Sequence, residues 1–179
     1  MRFRPAVFPF VLLLSAALVG CGGSDSSPSN EASSSSSETT TTQSASSGEV
    51  DQTITLHPKG NQMKYRETEF TVAPGQTIEL VFENTATSPS MQHNVVVLNS
   101  TENAVFRRVG EAGMSAGSAN DYVPEDDAII AYTSIAPPGE TVSVTFTVPE
   151  QPGDYGYVCT FPGHWATMQG TMHVEKSAA

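Results

Sequence analysis

The stretch "DYGYVCTFPGHWATMQGTMHV", residues 154–174, places a thiol at Cys159, an imidazole at His164 and a thioether at Met168. Thiolate and thioether are soft ligands that favour Cu(I), and imidazole suits both oxidation states of copper. The spacing C-x4-H-x3-M fits a loop that leaves a strand at Cys159, turns at Phe161-Pro162-Gly163 and re-enters a strand near Met168. Such a loop points three side chains at one interior spot. A cysteine, a histidine and a methionine also fall this close by accident, so the pattern requires a fourth donor from elsewhere.

The segment "SMQHNVVVL", residues 90–98, offers His93 at the head of an apolar strand. A histidine in that setting is commonly a packed core residue. Paired with the downstream trio it completes two imidazoles, one thiolate and a weak axial thioether, the donor set of blue-copper electron-transfer sites. Catalytic metals keep a position open for water or substrate. Here protein fills every strong position, so redox cycling rather than catalysis is expected, with one copper ion as cofactor. A copper nitrite reductase needs further histidines for a second copper, and His57 and His173 lie in strand-like segments without partnering ligands. A binuclear copper domain needs two cysteines in the loop. A cysteine protease leaves Pro162, Gly163 and Met168 without a role.

The elements that must hold these donors read as a small all-β domain. Strands are expected at 52–58, 69–74, 77–84, 93–99, 128–133, 141–148, 154–160 and 170–176, with Val142, Val144, Phe146 and Val148 alternating on one face. Pro-Gly pairs at 74–75, 138–139, 152–153 and 162–163 supply turns. Short strands between turn signals predict a Greek-key β-sandwich. Residues 101–127 break the pattern: Asn103 to Ala112 is expected as a helix with Val105, Phe106 and Val109 on one side, inserted beside the sandwich.

The chain divides into three expected parts. Residues 1–20 have Arg2 and Arg4, an apolar run and small residues before Cys21, the layout of a signal peptide too short to span a membrane stably. Leu18-Val19-Gly20-Cys21 resembles the bacterial lipoprotein box, in which the cysteine is lipidated. Residues 21–49 are Ser/Thr-rich and cannot bury enough apolar surface to order themselves, which predicts a flexible tether reaching about 30 Å. Residues 50–179 form the folded domain. Localisation is expected outside the cytoplasm, lipid-anchored at the outer face of the cytoplasmic membrane or in the periplasm.

With Cys21 given to lipid, Cys159 has no disulfide partner, and a lone thiol in an oxidising compartment needs an occupant. Removing the leader leaves 6 Lys+Arg against 19 Asp+Glu, a formal −13. That balance excludes nucleic acid and anionic lipid as partners of the domain. A basic protein partner and plain solubility in a salty medium both accommodate it.

"CTFPGH" followed four residues later by methionine, "M-x-H-N" upstream, and "GMSAG...DYVPEDDAIIAYTSIAPPGETVSVTFTV" together resemble the cupredoxin family, in its azurin and auracyanin branch, over roughly residues 50–176. The plastocyanin type keeps cysteine and histidine closer together. The resemblance implies a trigonal His93, Cys159 and His164 with axial Met168, and the Gln92 carbonyl opposite. It also implies backbone N–H groups of Asn94 and Phe161 on the thiolate, and an apolar rim of Met91, Met114, Pro162 and Trp165 around the edge of His164. Azurins have glycine at the Gln92 position, a small residue where Trp165 stands, and an N-terminal disulfide this chain lacks, so the auracyanin type is the nearer resemblance. The implied activity is single-electron shuttling by a membrane-tethered carrier, with a cytochrome or a membrane electron-transfer complex as partner. A copper carrier or storage lipoprotein that exchanges metal is the alternative.

Overall fold

The computed structural model describes residues 49–176. The expected leader, tether and lipidated Cys21 lie outside the described residues, apart from Glu49 at the end of the tether. Eight strands follow in the expected order: β1 (Gln52–Leu56), β2 (Glu69–Val72), β3 (Thr77–Glu83), β4 (Val96–Leu98), β5 (Ile129–Tyr132), β6 (Thr141–Thr147), β7 (Gly153–Val158) and β8 (Gln169–Val174). They form two sheets, β1-β3-β6 and β2-β8-β7-β4-β5. β1 runs parallel to β3 and β2 parallel to β8, while the remaining pairs are antiparallel.

The core follows from strand alternation. Ile78, Leu80 and Phe82 of β3 and Met172 and Val174 of β8 point inward and are buried. Complete burial of such a side chain contributes about 1.5–3 kcal/mol. β4 does not alternate, because both of its faces are covered. Val95 and Val97 join the core between the sheets, whereas Val96 and Leu98 meet a second apolar cluster built on a helix.

That helix, α1 (Asn103–Ala116), is longer than the Asn103–Ala112 stretch expected from apolar spacing. It buries Phe106 and Val109, as the spacing requires, and also Gly110 and Gly113. Glycine lowers helix propensity, so these positions read as a helix ending in sequence. In the fold they let the backbone approach its neighbours: a Cβ at Gly113 would lie 2.6 Å from the Tyr122 carbonyl oxygen and 3.1 Å from Thr160 Cβ.

The expected strand 93–99 is also shorter than its apolar run. Residues 93–95 leave the ladder, and His93 instead exchanges two backbone hydrogen bonds with Ala136, its N–H donating at 3.2 Å and its carbonyl accepting at 2.7 Å. No helix among the described residues is long and apolar enough to cross a membrane, which does not bear on β-barrels.

Candidate metal centre

β3 and β7 both run towards one end of the sandwich, and their exits deliver the donors. β7 ends at Val158, so Cys159 is the first residue off the strand and is fully buried. The chain then turns through Phe161-Pro162-Gly163, with Gly163 at φ 83°, a left-handed conformation that glycine adopts without Cβ strain. That turn starts a 3-10 turn at His164–Ala166 and carries His164 back under the strand ends. The His164 carbonyl accepts the Met168 N–H at 2.9 Å, and the Met168 carbonyl accepts the Cys159 N–H at 3.0 Å. The loop is thereby closed on itself before β8 begins.

His93 arrives from the other exit. Asn84, just past β3, donates from Nδ2 to the Met91 and Ala136 carbonyls, both at 2.8 Å, and so fixes the backbone on either side of His93. The result is a triangle of donor atoms. His93 Nδ1 lies 3.1 Å from His164 Nδ1, and Cys159 Sγ lies 3.8 Å and 3.7 Å from these two nitrogens. Three donors about 2.0–2.1 Å (nitrogen) and about 2.3 Å (thiolate sulfur) from a common ion lie about 3–4 Å apart, so the edges fit one first-row metal ion. Met168 is fully buried beside them, and His164 is 4% exposed, the one donor with a trace of solvent access.

Electrostatics favours a cation here. Burial and the neighbouring His164 pull His93 down to about 4, and burial lowers His164 as well. Both rings are therefore neutral at pH 7, with the same nitrogen facing across 3.1 Å, and one proton at most fits between two such nitrogens. Burial pushes the Cys159 thiol up to about 12, against the opposing hydrogen bonds from the Asn94 and Phe161 backbone N–H groups. Those N–H groups already point at the sulfur, where they stabilise thiolate once an ion displaces the proton. His93 Nε2, buried and without a partner among the described residues, is left to carry the ring proton when Nδ1 binds.

The side chain of Asn94 ties the two donor segments together. Its Oδ1 accepts the Thr160 N–H at 2.9 Å, and its Nδ2 donates to Thr160 Oγ1 at 2.9 Å and to the Asp121 carbonyl at 2.9 Å. Its carbonyl accepts the Tyr65 hydroxyl at 2.7 Å. Thr160, Asp121 and Tyr65 went unseen in the sequence, because polar residues far apart in the chain give no periodic signal. Asp121 and Tyr122 have positive φ, 51° and 57°, a conformation that costs non-glycine residues strain and persists where packing holds it. Here the strained segment presents the Asp121 carbonyl to Asn94.

The residues expected around His164 divide by environment. Pro162 is exposed, Met114 is 54% exposed at the end of α1, and Met91 and Gln92 are half-buried. Trp165 turns onto α1: a Cβ at Gly110 would lie 2.2 Å from its Cγ, and the indole belongs to the second apolar cluster. Met63, 42% exposed, sits at this end as well, its carbonyl accepting Thr167 Oγ1 at 2.8 Å. No motif in the sequence marked it. His57 and His173 are far from the donors in role, paired with Glu67 and Glu83 and with Asp154 respectively.

Residues 52–175 match the model of a family described as copper binding proteins, plastocyanin/azurin family. Auracyanin-A of Chloroflexus aurantiacus is 39% identical over 175 residues, covering 97% of this chain and 98% of the relative. Azurin of Alcaligenes faecalis is 42% identical over 101 residues, covering 55% of this chain and 77% of the relative. Among solved structures, auracyanin A from Chloroflexus aurantiacus, described as a "blue" copper protein, superposes with a TM-score of 0.64 at 41% identity, covering 69% of this chain and 98% of that one.

Proposed function

The chain belongs to the plastocyanin/azurin family of copper-binding proteins, and on that premise we propose that it carries single electrons through one copper held by His93, Cys159, His164 and Met168. When bound, copper supplies a one-electron Cu(I)/Cu(II) couple. The protein's part is to keep the donors where both oxidation states accept them. His93 and His164 would hold the ion through neutral nitrogens, Cys159 through a thiolate stabilised by the Asn94 and Phe161 N–H groups, and Met168 would add a weak sulfur donor. The Gln92 carbonyl would be a further weak oxygen donor. The bracing by Asn94, Asn84 and Tyr65 resists rearrangement, and little reorganisation means a small barrier to electron transfer.

The observation that carries this reading is the closed, buried donor triangle: three donors at mutual distances of 3.1–3.8 Å, with only His164 touching solvent. A closed shell excludes substrate and favours electron exchange through the His164 edge. Met91, Met114, Pro162 and Met63 form the rim of that edge, and Trp165 backs the loop from the α1 side. Tethering through lipidated Cys21 and the 21–49 leash places the carrier outside the cytoplasmic membrane, serving a cytochrome or membrane electron-transfer complex.

The test is to load the protein with copper and cycle it with one-electron reagents while following metal retention. Tight retention through repeated cycles supports electron transfer. Transfer of the ion to a chelating acceptor within the same period supports the carrier or storage reading instead.

A further inference from the structure

The charge around the donors runs against the net charge of the chain. Residues 84–101 and 155–174, which bear all four proposed ligands, contain no Asp, Glu, Lys or Arg. The loop 57–66 reaches the same end of the sandwich, because β1 is parallel to β3 and exits beside it. Lys59 N–H donates to the Lys64 carbonyl at 2.8 Å, closing the loop. Asn61 Oδ1 accepts the N–H groups of Thr87 and Ser88 at 2.9 and 3.0 Å, and Thr167 Oγ1 donates to Met63. These bonds seat the loop between the segments that supply His93 and His164.

The loop is exposed and basic. Lys59, Met63, Lys64 and Arg66 all face solvent. Among the described residues, carboxylates contact Arg107, Arg108 and the rings of His57 and His173, so Lys59, Lys64 and Arg66 keep their charge uncompensated by a carboxylate at contact. Of the acids at this end, Glu67 and Glu83 are held by His57 at 3.1 and 3.3 Å. Asp121 accepts the Ile135 N–H, and Glu140 precedes β6, across β3 from β1. Charges beyond about 10 Å are largely screened at 0.1 M salt, so a partner at the His164 edge senses the exposed cations of this rim more than the acids at the far end of the sandwich.

We propose that Lys59, Lys64 and Arg66 make the Met63 side of the His164 face a dock for an electron partner whose own docking face is acidic. This rests on the electron-transfer reading. Net charge by itself accommodates a basic partner or plain solubility, whereas the local charge of this rim favours an acidic partner. The neutral donor loops supply the apolar contact, and the loop supplies orientation.

The experiment compares Lys64→Glu with Lys176→Glu, which changes net charge equally but sits after β8 at the opposite end of the sandwich. Copper-loaded, reduced full-length protein is oxidised by hexacyanoferrate(III) and, separately, by tris(phenanthroline)cobalt(III). Each oxidant accepts one electron, becoming hexacyanoferrate(II) or the cobalt(II) complex and leaving the Cu(II) protein. At about 0.01 M ionic strength Lys64→Glu is expected to slow the anionic oxidant several-fold and speed the cationic one, and Lys59→Glu/Lys64→Glu to slow the anion by about tenfold. Lys176→Glu is expected to change both by less than about twofold. A metal-independent readout accompanies this: redox-inert hexacyanocobaltate(III) should shift amide resonances of residues 59–66 and 163–167 in copper-free protein, and the shifts should vanish in the double variant. Equal rate effects at the two ends, or anion shifts located elsewhere, overturn the proposal. A protein that shows the anion shifts but does not exchange electrons with either reagent overturns the electron-transfer reading and leaves the basic rim standing.

Discussion

Replacing Gly110 by alanine tests whether α1 supports the metal loop through Trp165. The added Cβ would lie 2.2, 2.4 and 2.6 Å from Trp165 Cγ, Cβ and Cδ1. Carbon atoms pack at about 3.5–4.0 Å, so the indole or the helix must move by more than about 1 Å. Trp165 has little freedom to do so, since it follows His164 and its carbonyl accepts Gln169 Nε2 at 2.7 Å. Overpacking costs about 1–3 kcal/mol, and relief of the glycine penalty in a helix returns about 1 kcal/mol. The expected net loss is up to about 2 kcal/mol, measured on copper-free protein by denaturant titration, together with a shift of the copper charge-transfer band as His164 is displaced. The sign is the sharper test. In a Trp165→Gly background all three of these atoms are gone, and Gly110→Ala should become stabilising by up to about 1 kcal/mol. A stabilised single variant with an unaltered copper spectrum would refute the packing argument.

Three further outcomes follow from the donor site and its supports. Copper(II) loading at pH 7 should release one proton per ion, from Cys159, because His93 and His164 are already neutral there. Calorimetry in buffers of different ionisation enthalpy measures the number, and apparent affinity should rise about tenfold per pH unit above about pH 6.5, where both lowered imidazoles are neutral. Asn94→Leu strands the buried Thr160 N–H and Oγ1, at about 1–3 kcal/mol for each unsatisfied group. Denaturation of copper-free protein should show a loss of about 2–6 kcal/mol, and the copper-loaded protein heterogeneous signals in paramagnetic resonance. Burial raises Glu67, yet the His57 N–H at 2.7 Å and the His57 ring overcome it and hold the carboxyl below its usual 4.5. A depressed folded-state value stabilises above about pH 4.5 and is lost as pH falls through the lowered value. The stability gap between copper-free wild type and Glu67→Gln should therefore be constant near neutrality and close below about pH 4.5.

Much of this architecture is legible in the sequence because it is periodic or punctuated. β3 and β6 announce themselves by alternation, and the Pro-Gly pairs mark the turns between strands. The spacing from Cys159 to His164 to Met168 is local, so the loop is readable as one unit. His93 lies 66 residues from Cys159 and is readable only because copper chemistry demands another nitrogen. What escaped has a common cause: it depends on contacts between distant segments. Gly110 and Gly113 look like helix-ending residues until Trp165 and Thr160 are seen against them. β4 looks longer than it is, because burial on two faces and strand pairing give the same apolar run. Met63 and the lysines beside it belong to an ordinary polar loop until the parallel pairing of β1 and β3 brings them to the donor end. Net charge is silent about the charge at this end for a similar reason, since a sum carries no position.

On the proposed reading, Cys159 thiolate, His93 and His164 bind one copper in a closed site. Visible absorption of the copper(II)-loaded protein, titrated with copper and compared with Cys159→Ser, tests it most directly. The expected result is an intense thiolate-to-copper charge-transfer band that saturates at one equivalent, bleaches reversibly on one-electron reduction and is absent in the variant. A wild-type protein that takes up copper without that band, or a band that persists in Cys159→Ser, would contradict it.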